Sequence, residues 1–274
     1  MANDERPRSF LLRRADDRQR PRLRRGVYIL PSLFTLGNMF CGYACIVYSI
    51  GQQFETAAQF IGFAIVLDML DGRIARMTGT ASAFGVELDS LADVISFGIA
   101  PAILSFSWGL QPLGRLGWAA GFMFVTGAAM RLARFNIQSS AGGDKRYFVG
   151  MPSPAAAAVP AATVFVYPYP WVQYDFREAL PALAMVLIPA VLMVSTIRFH
   201  SFKNIDMQAR RPSRVLLLIA FGYMLIITLH KYVLVVMAYT YLMSAFVELA
   251  ITRFRHRGGR DASEASESPK AASR

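Results

Sequence analysis

The sequence predicts an all-α fold, a multi-pass transmembrane helical bundle of about eight spans. Apolar residues make up 54% of the 274 residues and charged residues only 17%, whereas soluble domains average about 45–50% and about 25%. Apolar stretches long enough to cross a bilayer as helices recur between Tyr28 and Ile251. This composition excludes soluble, collagen-like and disordered classes for the body of the chain.

The predicted spans are apolar stretches of the sequence that follow one another closely. They are, in order, 28–50, 56–77, 83–107, 115–137, 152–171, 179–198, 214–229 and 231–252. The connections around 137–151 and 198–214 are basic, so the positive-inside rule places them in the cytoplasm. An even number of spans then places both termini on the cytoplasmic side, and we expect a bacterial inner membrane.

The two ends of the chain differ from its centre. Residues 1–25 contain nine arginines and are predicted to be a basic cytoplasmic segment, either a surface helix or disordered. Residues 26–252 form the predicted transmembrane catalytic domain, and 253–274 a disordered cytoplasmic tail. The net charge of +11 follows from basic residues flanking apolar spans. We therefore predict a lipid bilayer and no nucleic acid as partner.

Four aspartates interrupt the second and third predicted spans. Asp68 and Asp71 are three residues apart, and Asp89 and Asp93 are four apart, so each pair shares a helix face. One charged side chain at the centre of a spanning helix costs roughly 2.5–3.5 kcal/mol on insertion scales. A helical hairpin would bring the four carboxylates together, and this arrangement indicates a functional site.

Clustered carboxylates repel one another unless a cation lies between them. Two divalent cations, Mg²⁺ or Mn²⁺, would relieve the repulsion and support phosphoryl transfer. Gly72, Ala75 and Gly85 leave a bare face for a phosphate-bearing substrate, and Arg76 could pair with its charge. The alternative is a cation- or proton-coupled transporter that uses the aspartates as ion sites.

The spacing of these residues resembles the complete signature of the CDP-alcohol phosphotransferase family. Its fixed positions correspond to Asp68, Asp71, Gly72, Ala75, Arg76, Gly85, Asp89 and Asp93. The resemblance implies membrane enzymes, with a homodimer as the expected assembly, that bind a CDP-linked lipid or alcohol.

The same resemblance implies a role for each matching residue. Asp68, Asp71 and Asp89 would ligate a pair of divalent metals, while Asp93 would join the metal site and act as general base. The positions implied to contact the cytidine diphosphate are Gly72, Ala75, Arg76 and Gly85.

Stretches flanking the signature bear on the acceptor alcohol. They are PSLFTLGNMFCG from Pro31, DSLADVISFGIAPA from Asp89, RLARFN from Arg131 and YFVGMPSPAAA from Tyr147. They resemble family members that transfer the phosphatidyl group of CDP-diacylglycerol to L-serine, giving phosphatidylserine and CMP. Glycerol phosphate, inositol and choline are the alternative acceptors.

Five polar residues in these stretches are further candidates. Arg131 and Arg134 can share a helix face, and an arginine fork suits the carboxylate of serine; they could equally be topology signals or phosphate contacts. Asn136 is a further serine-binding candidate, or a helix cap. Thr35 and Asn38 could contact the nucleotide of CDP-diacylglycerol or bond a neighbouring helix.

Overall fold

The structure is a computed structural model. The residues it describes are 29–78, 82–140, 147–169, 176–177, 179–195, 198–200, 232–244 and 246. Only the backbone is described at 29–31, 75–76, 78, 139–140, 147–149 and 198–200. The predicted basic segment at 1–25, the span at 214–229 and the tail at 253–274 lie outside the described residues.

Two antiparallel helices, α1 (Ile29–Ile50) and α2 (Phe54–Thr78), begin the described fold. The turn between them places Gln52 in the left-handed region, with a φ of 58°. Thr35, near the start of α1, donates a hydrogen bond to Asp71, near the end of α2. The two helices therefore run in opposite directions, as the predicted first and second spans require.

The third helix, α3 (Ala83–Leu113), is 31 residues long and begins at a capped terminus. The Ser82 Oγ accepts a hydrogen bond from the Gly85 backbone N–H at 3.0 Å. Serine is favoured there because the first-turn N–H groups of a helix have no intrahelical partner. The cap fixes where α3 begins and therefore the position of Asp89 and Asp93 along the bundle.

Two wider turns interrupt α3, at Ile95–Ile99 and Phe106–Leu110. The residue after each turn donates to the carbonyl five positions back, and Pro101 or Pro112 comes next. Proline has no N–H, and its ring clashes with the carbonyl four positions back in a regular α-helix. The wider turns remove that clash, so α3 continues past Pro101 and includes Pro112 in its last turn.

Helix α4 (Arg115–Ser140) follows Gly114, whose φ of 52° reverses the chain after α3. The two helices approach closely at Gly98, where an added Cβ would lie 3.3 Å from the Ala128 Cβ. Small residues at such contacts let helix backbones approach each other, as is common in membrane bundles.

Three shorter helices complete the described bundle: α5 (Ser153–Val166), α6 (Leu180–Val194) and α7 (Tyr232–Ser244). The core between the helices is rich in alanine. Fully buried members are Ala57, Ala64, Ala92, Ala100, Ala128, Ala156, Ala157 and Ala179. The dispersion energy of many close contacts holds helices together where lipid removes much of the hydrophobic driving force.

A small departure from the all-α prediction is an antiparallel pair of strands, β1 (Tyr147–Val149) and β2 (Arg198–His200). Strands of three residues are too short to show the alternating pattern that identifies a strand in sequence. Their pairing joins the two basic connections that were predicted to share one side of the membrane. These connections therefore lie at the same end of the bundle.

Among the described residues, three helices are long and apolar enough to cross a membrane: Ser32–Ile50, Ala83–Leu113 and Arg115–Gln138. Helix α2 has 25 residues. It is not among these three, because Asp68, Asp71 and the neighbouring arginines make its last third too polar. The remaining helices are shorter than the about 20 residues a span needs. The number of eight spans stays a prediction.

Candidate active site

Three carboxylates from two helices meet at one end of the bundle. One oxygen each from Asp68 and Asp71 of α2 and Asp89 of α3 lie within 4.8 Å of one another. Asp71 is 4% exposed, and the other two are half-buried. We call these three residues the acidic cluster.

The donor set of the acidic cluster fits a hard divalent cation. Asp89 Oδ1 is buried and has no hydrogen-bond partner among the described residues. Leaving a buried charged acceptor unsatisfied is costly, and three carboxylates at this separation repel one another. A cation ligated by oxygen would satisfy the Asp89 oxygen and offset the repulsion together.

Asp93 stands one turn beyond Asp89 and beside the acidic cluster. Its side chain is 7% exposed and lies within hydrogen-bonding distance of the Asp68 carboxyl group. Asn38 Nδ2 donates to Asp93 Oδ1 at 3.2 Å. The hydrogen bond from α1 therefore holds the Asp93 carboxyl group in one orientation.

Helix α1 supports the carboxylates through the two residues that were predicted to contact the nucleotide. Thr35 Oγ1 donates a hydrogen bond to Asp71 Oδ2 at 3.3 Å. Asn38 is itself held by Ser96, whose Oγ donates a hydrogen bond to the backbone carbonyl of Asn38 at 2.8 Å. Bonding to a neighbouring helix was the alternative interpretation of both residues, and the structure has those bonds.

The predicted serine-binding residues all lie near the C-terminal end of α4 and have protein partners. Arg131 Nη1 donates to Ser153 Oγ at 2.6 Å, and its guanidinium interacts electrostatically with Asp93 and Asp68. Arg131 thus stands beside the carboxylates.

The other two members of this group bond neighbouring helices rather than Ser153. Arg134 Nη1 donates to the Val194 carbonyl at 3.2 Å, at the end of α6. Asn136 Nδ2 donates to Ser90 Oγ at 2.8 Å, on α3. Both side chains tie α4 to its neighbours around the site.

The sequence has recognisable relatives along the part of the chain that builds this site. The family model described as CDP-alcohol phosphatidyltransferase matches residues 28–194, more than half of the chain. The chain belongs to the CDP-alcohol phosphatidyltransferase family. The matched range includes every residue placed above around the carboxylates.

Curated relatives of the chain come from bacteria and an archaeon. It is 40% identical over 182 residues to the CDP-diacylglycerol–serine O-phosphatidyltransferase of Helicobacter pylori (strain ATCC 700392 / 26695), covering 65% of this chain and 75% of the relative. Identity to the Bacillus subtilis (strain 168) protein of the same name is 33% over 175 residues, covering 64% and 92%.

An archaeal relative bears a different name. The archaetidylserine synthase of Methanothermobacter thermautotrophicus is 35% identical over 172 residues, covering 62% of this chain and 69% of the relative. The similarity to these relatives therefore extends over about two thirds of the chain.

The two glycines of the family signature have different surroundings. A Cβ added at Gly72 would meet nothing within 4 Å, whereas one at Gly85 would lie 3.1 Å from Ser82 Oγ. The space beside Gly72 is open, as a substrate-facing position requires, while Gly85 also protects the cap of α3. The side chains of Ala75 and Arg76 lie outside the described residues.

Ser153, the buried serine that holds Arg131, is not among the residues predicted for the site. Its side chain is fully buried and accepts a hydrogen bond from the guanidinium. A serine between two prolines is an ordinary turn signal. The signal that could have singled it out is its place in the YFVGMPSPAAA stretch.

Proposed function

We propose that this protein transfers the phosphatidyl group of CDP-diacylglycerol to the hydroxyl of L-serine, giving phosphatidylserine and CMP. The observation that carries the proposal is the acidic cluster, whose three carboxylates meet within 4.8 Å in a chain of this family. The serine acceptor is supported by the names of the Helicobacter and Bacillus relatives.

Asp68, Asp71 and Asp89 would hold two divalent cations, Mg²⁺ or Mn²⁺, with Asp93 as the adjoining fourth carboxylate. Such a pair supplies charge neutralisation for the pyrophosphate and stabilises the leaving phosphate oxygen. Asp89 Oδ1 has no hydrogen-bond partner among the described residues. This observation supports the assignment, because a bound cation would supply the missing partner.

Asp93 acts as the general base. The serine hydroxyl oxygen attacks the lipid-side phosphorus, the bond from that phosphorus to the CMP oxygen breaks, and the hydroxyl proton passes to the Asp93 carboxylate. A base must be held within hydrogen-bonding reach of the proton it takes. Asn38 provides that restraint through its 3.2 Å hydrogen bond.

The nucleotide lies along the open face of α2 and the start of α3. Gly72, Ala75, Arg76 and Gly85 are the proposed contacts for the cytidine diphosphate. Thr35 and Asn38 are the other proposed contacts, and the buried Asn38 Oδ1 has no partner among the described residues.

The acceptor side is basic. Arg131, Arg134 and Asn136 are the proposed serine-binding residues, and Arg131 is the member placed beside Asp68 and Asp93. A guanidinium fork matches a carboxylate in shape and charge. A serine held there by its carboxylate would have its hydroxyl within the neighbourhood of Asp93.

The remaining elements of the proposal concern topology and assembly. Residues 26–252 form a catalytic domain of about eight spans in a bacterial inner membrane, with both termini in the cytoplasm, and two copies form a homodimer. Pairing of β1 with β2 supports a common side for the two basic connections. Chemistry at that face leaves the acyl chains in lipid while serine arrives from the cytosol.

The test is an acceptor panel with the purified protein. CMP release from CDP-diacylglycerol would be measured with radiolabelled serine, glycerol phosphate, inositol or choline, without any ion gradient. We expect release with serine alone, its loss in EDTA and its return with Mg²⁺ or Mn²⁺. Preference for another acceptor would overturn the serine assignment. No CMP release with any acceptor would overturn the transferase itself.

A further inference from the structure

The Arg131 guanidinium lies near the carboxyl groups of Asp93 and Asp68. A guanidinium beside two carboxylates is attracted to both, and a close ion pair with Asp93 would occupy the base. In the described part of the chain, however, the hydrogen bond that Arg131 makes goes to Ser153 Oγ, at 2.6 Å. A neutral hydroxyl therefore holds the guanidinium that the carboxylates attract.

We infer that Ser153 is a positioning residue that holds the Arg131 guanidinium off Asp68 and Asp93 and available to the acceptor's carboxylate. This inference rests on the proposed function. The Ser153 side chain is 0% exposed, so water does not replace its hydrogen bond. A free arginine side chain populates many rotamers, and a preorganised fork loses less of this entropy on binding.

The place of Ser153 in the fold explains how it can restrain the arginine. It is the first residue of α5, directly after the segment Gly150–Pro152. At Gly150 the φ is 85°, and an added Cβ would lie 2.5 Å from the Met193 carbonyl oxygen. Met151 N–H donates to the Leu192 carbonyl at 3.1 Å. The end of α6 therefore holds the chain that delivers Ser153 to Arg131.

Without the hydroxyl, the guanidinium would move toward Asp93. Two effects are then expected at once: the acceptor's carboxylate loses its oriented partner, and the base is partly occupied. The KM for serine should rise and kcat should fall, while the KM for CDP-diacylglycerol changes little, because the proposed nucleotide contacts lie on α1, α2 and α3 and not on α5.

The experiment is a double-mutant cycle on the full chain. We expect Ser153→Ala to raise the serine KM at least about tenfold, the lower end of the effect of one hydrogen bond to a charged group, and Ser153→Thr to retain most serine use. In the Arg131→Lys background, Ser153→Ala should add much less than it does alone. The matched control is Ser105→Ala, which removes another fully buried hydroxyl, one that donates to the Pro101 carbonyl within α3.

The outcomes separate this inference from the proposed function. A Ser153→Ala effect of the same size with and without Arg131 would overturn the positioning role, as would an equal rise in the KM for CDP-diacylglycerol. A wild-type protein that used an acceptor other than serine would overturn the proposed function instead. Normal behaviour of Ser153→Ala in an active, serine-using protein would overturn only the role of Ser153.

Discussion

The carboxylates of the site come from two helices joined by a short connection, whereas the arginines find their partners far along the chain. The pair Asp68 and Asp71 and the pair Asp89 and Asp93 are three and four residues apart, whereas Arg131 and Ser153 are 22 apart and Arg134 and Val194 are 60 apart. Local spacing therefore places the carboxylates of each helix on one face of that helix. The arginine side exists only because α4, α5 and α6 pack together.

The difference has a physical basis. Residues three or four apart on a helix share a face, so the positions of the aspartates along the chain already restrict where their carboxylates point. The direction of an arginine depends on partners that only tertiary packing supplies. Substitutions on the acidic side should therefore change the chemistry, and those on the arginine side should change acceptor use.

The largest expected effect is loss of a carboxylate from the acidic cluster. Loss of a residue that only supports a metal ligand typically lowers activity by about 10–100-fold. Asp71→Asn or Asp68→Asn removes a ligand itself and should therefore reduce CMP release by more than that. The control is Glu87→Gln, which removes an exposed carboxylate two residues from Asp89 and should leave turnover near normal. Retention of full activity by Asp71→Asn, or by the wild type in EDTA, would contradict the metal assignment.

The next effect concerns Asp93, which adjoins the acidic cluster but is held by Asn38. Asp93→Asn should lower kcat by about 10²–10⁴-fold, the usual contribution of general-base catalysis. Binding of CDP-diacylglycerol, measured by equilibrium titration, should be largely retained. If nucleotide binding fell as far as turnover, Asp93 would be chiefly a metal ligand.

A smaller effect should separate the two arginines. Arg131→Ala should raise the serine KM by one to two orders of magnitude, since a hydrogen bond to a charged group contributes roughly 1.5–3 kcal/mol. Arg134→Ala should raise it less and lower thermal stability more, because that guanidinium donates to the α6 carbonyl of Val194.

Kinetics with both substrates would check the arginine comparison. Arg131→Lys should restore serine use only in part, because an ammonium group cannot reproduce the planar fork. Ethanolamine, which lacks the carboxylate, should be a poor acceptor for the wild type. Normal serine use combined with lost CDP-diacylglycerol binding in both alanine variants would make the pair phosphate or lipid contacts.

The smallest effect compares the two signature glycines. Gly72→Ala should stabilise α2 by about 0.5–1 kcal/mol, the usual gain of alanine over glycine within a helix, while weakening CDP-diacylglycerol binding at the open face. Gly85→Ala should bring no such gain, because the new Cβ would lie 3.1 Å from the Ser82 oxygen that caps α3. Thermal unfolding in detergent and the KM for CDP-diacylglycerol measure both. Unchanged nucleotide affinity in Gly72→Ala would argue against the proposed face.

The helices were largely predictable because they are long and apolar. The first four predicted spans correspond to α1, α2, α3 and α4, although α3 extends to Leu113 rather than ending near 107. That extension depends on the wide turns before Pro101 and Pro112, which the apolar pattern does not reveal. The pairing of β1 with β2 escaped prediction because each strand is stabilised by the other rather than by its own three residues.

By itself, the sequence determined the family, the helical class and which acidic residues share a helix face, since helix geometry places Asp68 beside Asp71 and Asp89 beside Asp93. The packing of α2 against α3 then brought Asp89 to Asp68 and Asp71. Tertiary structure decided which side chains hold them. Thr35 and Asn38 donate hydrogen bonds to carboxylates, and Ser153 accepts one from Arg131. These bonds join different helices, so they depend on how the backbones pack. Spacing along a single helix carries no information about that packing.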